Sequence, residues 1–273
     1  MSYLFDRPWP VLAVSIIALW LAAWIGAHAL RSRATEDTAS VYYDIILGAT
    51  LTLLSLIIGF TFSMAIGHYD QRKGYESAEA NAIRTAYLRA DLLAPADASS
   101  LRTLIGNYLE QRILFYEATD EEGLLPIDAR TAQLEADLWS TIRASATAIP
   151  LAVVAMNDML NARSSAEASW ANRISLEAWT LMGAIAICGN LLIGYGARKF
   201  SARTIPILIL PTVVVISISL YLIDDIDSPR SGLIAVGPEN LRLLAHSITD
   251  PSHPLFPNAQ PLSDHPPAVP RAP

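Results

Sequence analysis

Four long apolar runs divide the chain two and two around a polar stretch: Trp9–Leu30, Tyr42–Ile66, Leu176–Tyr195 and Ile205–Ile223. Each reaches the ~20 residues that a helix rising ~1.5 Å per residue needs to cross a hydrocarbon core of about 30 Å. Buried helices of a soluble protein carry a charge every turn or two, whereas Asn190 is the strongly polar side chain found deep inside these runs. The pattern predicts an all-α fold: four transmembrane helices in two hairpins, with an extramembrane helical insert between helices 2 and 3. On this reading residues 1–8 are an N-terminal segment, 9–66 the first hairpin, 67–175 the insert, 176–223 the second hairpin and 224–249 an acidic turn with a C-terminal segment. Residues 250–273, rich in proline and without apolar periodicity, read as a disordered tail. Ala27-His28-Ala29 fits a signal-cleavage pattern, but Asp6 and Arg7 cancel and the run is long, so the first run reads as an uncleaved anchor.

The second run carries a regular feature. Gly48, Thr52, Ser55, Gly59 and Ser63 recur at helical steps, and at 100° per residue they stay within about 80° of one another. Ile66 and Asp70 continue the stripe if the helix goes on. Small residues let helix backbones approach closely in a bilayer, so the stripe reads first as a packing seam. The other reading is the lining of a wet pathway. In the third run Asn190 needs a hydrogen-bonding partner in hydrocarbon, which makes it a helix contact first and a pathway residue second. Pro206 and Pro211 predict a kink or a broken first turn in the fourth.

The insert shows helical patterns and no strand pattern. Residues 76–93 are good helix formers, followed by a helix with Asp97 or Ser99 as its cap. Leu101, Leu104, Ile105, Tyr108, Leu109, Arg112, Phe115 and Tyr116 form one face of that helix. Asp120-Glu121-Glu122-Gly123 and Pro126 mark a loop, and Leu134, Leu138, Ile142 and Ala146 give a further helical face that stops at Pro150. Residues 152–173 read as a helix that runs on into the third span.

Composition narrows the function. With 52% hydrophobic and 16% charged residues and a net charge of −7, the chain lacks the basic footprint that nucleic acid requires. Its single cysteine, Cys188, supports neither a disulfide framework nor a thiolate metal site. The histidines (His28, His68, His246, His253, His265) show no metal-ligand spacing, so no metal or cofactor is expected. Glu76 with Glu79 reads as a solvated helix face rather than an acid/base pair, and no catalytic motif stands out; an enzyme is not expected. Asp224, Asp225 and Asp227, at the end of the fourth run, suggest a structural pairing, for example with Arg230, ahead of an ion site. Asp70 is a further candidate polar contact. The expected partners are the lipid bilayer and further copies of the same chain.

Orientation follows from the short loops. They carry Arg31, Arg33, Arg198, Lys199 and Arg203, against Arg7, Arg72, Lys73, Arg173 and Arg230 on the opposite side. The denser basic turn, placed inside, puts the insert on the extracytoplasmic side of a bacterial inner membrane.

Gly59-Phe60-Thr61-Phe62 leading to Tyr69-Asp70-Gln71-Arg72, then Glu79-Ala80-Asn81, Tyr87-Leu88-Arg89 and Asp227-Ser228-Pro229-Arg230-Ser231-Gly232, resemble the bacterial bestrophin-like domain family, whose function is not established. The resemblance covers roughly residues 10–240. True bestrophins, to which that family is linked, are pentameric anion channels whose second helix lines a pore with an aromatic and aliphatic constriction. By that resemblance Phe60 and Phe62 are candidate constriction residues. Bestrophins keep their insert in the cytosol, opposite to the charge reading here. Two functions follow as expectations: an oligomeric channel-like protein, or a non-conducting membrane-anchored scaffold or sensor that binds a partner through its helical domain.

Overall fold

The computed structural model describes residues 8–28, 37–145, 150–197, 201, 204–230 and 232–250. The predicted tail 251–273, Ala146, the Ala29 end of the cleavage pattern, Arg31 and Arg33, and the basic turn at 198–200 and 202–203 lie outside the described residues. The elements are α1 (Pro8–His28), α2 (Asp37–Arg89), α3 (Pro95–Glu117), α4 (Glu121–Ala144), α5 (Pro150–Ala171), α6 (Leu176–Ala197), α7 (Ile205–Asp227) and α8 (Glu239–Thr249), with a short 3-10 turn at Ala90–Leu92. Four stretches are long and apolar enough to cross a membrane, in α1, in α2, across α5 and α6, and in α7.

The second apolar run and the first insert helix are one element. α2 extends over 53 residues, about 80 Å at ~1.5 Å per residue, so it projects far beyond the thickness of a hydrocarbon core. Two buried clusters divide the molecule along it. One joins Leu19, Ala23, Leu54, Ala65, Met182, Val213 and Ile223 between the apolar helices. The other joins Ile83, Leu101, Ile105, Tyr108, Leu138 and Met159 among the later part of α2 and α3, α4 and α5, with Leu241 and Leu244 of α8. The amphipathic face expected of α3 is that core's wall: Leu101, Ile105, Tyr108, Leu109, Arg112, Phe115 and Tyr116 are all buried.

The first two helices do not pack on each other as expected, whereas α6 and α7 touch. α1 packs chiefly on α6 and then α7, α2 packs on α6 and α7, and α1 and α2 scarcely touch. The reason is a close crossing of small residues. A Cβ built on Gly26 would stand 2.1 Å from the Leu191 carbonyl oxygen, and one on Gly194 would stand 1.9 Å from that of Ala23. Backbone contact of this kind is how helices associate where lipid offers no hydrophobic drive. α1 thus runs alongside α6 in the same direction, and α2 runs against α6 with Tyr43 donating to the Leu192 carbonyl. The start of α1, the insert and the end of α7 then share one end of the apolar bundle: the Trp9 and Tyr221 rings meet at a tilt with centroids 5.6 Å apart, and His68 bonds Asp227.

Four local expectations are corrected. α3 starts with Pro95 as its first residue, not at an Asp97 or Ser99 cap; Asp97 instead accepts from Ser145 Oγ at 2.6 Å, tying α3 to the end of α4. The stretch around Pro126 is helix, because Asp120 caps α4 by accepting from the Gly123 N–H at 2.7 Å and Leu124 and Ile127 pack on the insert core. α5 does not run into α6: the chain breaks over 172–175, where the Asn172 carbonyl accepts from Arg72 at 3.0 Å. The broken first turn expected of α7 is absent: the helix is continuous through Pro211, and Pro206 falls in its first turn, where no intrahelical donor is required.

Glu76 and Glu79 are not a solvated face. Both are buried, at 1% and 0% exposure. Glu79 pairs with Arg112, which also donates to Glu167 at 2.8 Å, and Arg163 joins Glu167 and Glu135, each at 2.7 Å. The chain of charges links α2, α3, α4 and α5. Burial works to lower the Arg112 pKa, but Glu79, together with Tyr108 and Glu167, outweighs it and holds the guanidinium above its ordinary value. Burial also pushes the phenols of Tyr108 and Tyr116 up, and Tyr116 donates to Glu79 at 3.0 Å.

Candidate functional site

Three faces of α2 differ in chemistry within the apolar region. Leu54, Thr61, Ala65 and Arg72 are buried against the other helices. At 100° per residue, Ile46, Leu53, Phe60 and Met64 lie roughly 80–120° to one side of that face and are exposed. The stripe of Gly48, Thr52, Ser55, Gly59 and Ser63 lies about 140° to the other side, and every member is exposed. A Cβ on Gly48 or Gly59 would meet nothing within 4 Å. The stripe is therefore not a seam within the chain; the close small-residue crossing belongs to α1 and α6. Ser55 spends its hydroxyl on the Leu51 carbonyl of its own helix, at 2.9 Å.

Beside the stripe runs a groove of about 700 Å³ between α2 and α7, walled by Ser55, Gly59 and Phe62 on one side and Thr212, Val215 and Ser219 on the other. Phe62 faces this groove, whereas Phe60, 66% exposed, points away with the large apolar side chains. Two positions apart on a helix means about 200°, so the two rings do not face one direction. Ile66 and Asp70 do continue the stripe and are exposed.

The three carboxylates at the end of α7 are separated by their partners. Asp225 accepts the backbone N–H groups of Leu233 at 2.8 Å and Ile234 at 3.1 Å, closing the turn after the helix. Gly232 is required there, since a Cβ would stand 2.2 Å from the Asp225 carbonyl oxygen. Asp227 binds His68 Nδ1 at 2.9 Å and the Ile174 N–H at 2.9 Å, with Arg72 at 3.9 Å. Arg72, 1% exposed, also donates to the carbonyls of Asn172 and Asp227, at 3.0 and 2.9 Å, so it closes the ends of α5 and α7 together. The arginine expected for this group, Arg230, donates to the Phe115 and Ala118 carbonyls at 2.9 and 3.1 Å and lies over the Phe115 and Trp170 rings. Asp224 is 6% exposed, and its Oδ2 has no partner among the described residues. Asn190, fully buried, donates to the Ala186 carbonyl of its own helix at 2.9 Å, and its Oδ1 has no partner.

Sequence reasoning missed His68, Arg72 and Glu76 as junction residues. Glu76 accepts from Asn240 N, Asn240 Nδ2 and Leu241 N at 2.8, 2.6 and 3.0 Å, capping α8 from another helix. Their signal was the spacing 68, 72, 76, 79, which follows one face of a continuous α2.

Among the described residues no group of three or more histidine, cysteine or acidic side chains gathers as it would around a metal ion. No curated protein and no solved structure matches the chain. A family model for the Bestrophin-like domain matches residues 11–241, the span that holds all four apolar helices, the insert and the acidic turn. The chain is a membrane protein that belongs to the Bestrophin-like domain family.

Proposed function

We propose that the protein is an oligomeric, channel-like membrane protein in which α2 of each copy contributes the lining. The observation that carries this reading is the third face of α2. Outward faces of α1 and α7 away from that groove present Val14, Ile17, Leu21, Ile207, Leu210 and Ile218. An outward face of Gly48, Thr52, Ser55, Gly59 and Ser63 suits a second copy or water better than acyl chains. Only 11% of the apolar window of α2 is buried, against 28% in α1 and in α7. In this reading Ile66, Phe62 or both narrow the passage, Asp70 stands at its mouth, and residues 67–175 form the domain outside the membrane. The basic turn between α6 and α7 faces the cytoplasm of a bacterial inner membrane, and the insert faces away from it.

Mass measurement in nanodiscs and anion and cation efflux from proteoliposomes test the reading together. The expected result is a ring-like oligomer that conducts, with Gly59→Leu leaving the mass unchanged and lowering the flux through a narrower, drier passage. Loss of the oligomer in Gly59→Leu would make the stripe a packing seam between copies. An assembled protein that carries no ion under any gradient or pH would favour the scaffold or sensor.

A further inference from the structure

Among the described residues, four of the seven buried side-chain atoms without a hydrogen-bonding partner lie on α6 and α7: Asn190 Oδ1, Ser217 Oγ, Tyr221 Oη and Asp224 Oδ2. On α7 they stand at positions 217, 221 and 224, successive turns of one face. Asn190 and Ser217 are fully buried and Asp224 is 6% exposed. α6 and α7 run in opposite directions, and Ala186 and Leu220 line the same groove, which brings 190 level with 216–217. On α7 the unsatisfied atoms therefore follow one face from the insert junction into the apolar bundle, and Asn190 of α6 lies at the depth of Ser217. Buried polar groups of this kind are satisfied by protein or by ordered water, and a buried water takes about three such bonds.

Asp224 differs from its two neighbours. Both oxygens of Asp225 accept backbone N–H groups, and both oxygens of Asp227 are engaged by His68 and Ile174. The charged groups acting on Asp224 are Asp225 and Asp227 on its own helix and Arg173 in the break between α5 and α6. His68 and Arg72 of α2 are committed to Asp227. α1 brings no charge to this end among the described residues, and α6 brings Glu177 in its first turn. An unpaired buried carboxylate is costly, so its free oxygen needs a proton or a hydrogen-bond donor.

We propose that the seam between α6 and α7 is a hydrated proton-binding site: Asp224 takes up and releases the proton, and bound water joins it to Tyr221, Ser217 and Asn190. On uptake, a hydronium ion arriving from bulk water at the junction gives a proton to Asp224 Oδ2, leaving water and the neutral acid. On release the acid gives the proton back to water, and the hydronium ion leaves to bulk. This goes beyond the channel reading and does not depend on it, since the site lies within one copy and away from the α2 stripe.

The full-length protein in lipid nanodiscs is titrated with acid and base while infrared difference spectra are recorded. The wild type is expected to show a protonated-carboxyl band that disappears at high pH. Asp224→Asn should lose that band, Asp224→Glu should keep it at a shifted frequency, and Glu110→Gln, at an exposed carboxylate of α3, should leave it in place. A band of equal area in Asp224→Asn and wild type overturns the proposal, as does a wild type with no such band. A map of the unmodified protein that resolves water decides the second half and needs no variant. Water density beside Asp224 and Ser217 supports the site, and a dry seam overturns it.

Discussion

Gly194 of α6 lies against Ala23 of α1 so closely that a Cβ would stand 1.9 Å from the Ala23 carbonyl oxygen. Backbone cannot yield there as a flexible side chain can. Gly194→Ala should cost at least the ~1–3 kcal/mol of an overpacked core and lower the thermal midpoint in detergent. Gly183→Ala, on the same helix with open space at its Cβ, should be neutral or stabilise by up to about 1 kcal/mol through helix propensity. Equal midpoints for the two variants would mean that the crossing is not this tight.

Arg112 and Glu79 carry a buried pair whose loss on one side leaves a bare charge. Arg112→Met or Glu79→Met alone should each destabilise by roughly 3–5 kcal/mol, and the double variant should recover much of that. Denaturant titration of all four proteins gives the coupling. Simply additive effects would argue against the pair.

Glu76 holds the first N–H groups of α8. Glu76→Ala should cost about 1–3 kcal/mol and release residues 239–249, visible as faster amide hydrogen exchange there. Unchanged protection of that segment would place the docking energy of α8 in Leu241 and Leu244 alone.

Tyr108 and Tyr116 stay neutral in the fold beyond their ordinary pKa of ~10. Below that value neither the folded nor the unfolded phenol is ionised and stability is unaffected. Above it the unfolded chain ionises first, so stability should fall by up to about 1.4 kcal/mol per pH unit for each tyrosine. Tyr116→Phe should flatten the alkaline slope of the unfolding free energy. A slope unchanged in that variant would mean another group governs the alkaline limit.

Orientation is testable by accessibility. With Cys188 replaced by alanine, a cysteine at Thr119 in the insert should react with an impermeant thiol reagent on intact cells, and one at Ser201 between α6 and α7 should not. The reverse pattern would place the insert in the cytosol, as in bestrophins.

The apolar runs determined that four helices are long and apolar enough to cross a membrane, because hydrocarbon admits no unpaired backbone and ~20 apolar residues in a row have no other common use. Helical periodicity likewise identified the buried face of α3, since burial in a helix recurs at its turn spacing. The family motifs were legible too, being contiguous. Other features depended on partners remote in sequence. Glu76 and Glu79 carry nothing local that separates a solvated carboxylate from one that caps α8 or meets Arg112 at the core; only the positions of α3 and α8 decide it. The same holds for Asp224, Asp225 and Asp227, alike in sequence and divided by which N–H groups, His68 or nothing at all come within reach. Small residues announced that helices could touch, but not which: that choice went to Gly26 and Gly194, because contact energy falls off within an ångström and depends on how four helices settle together.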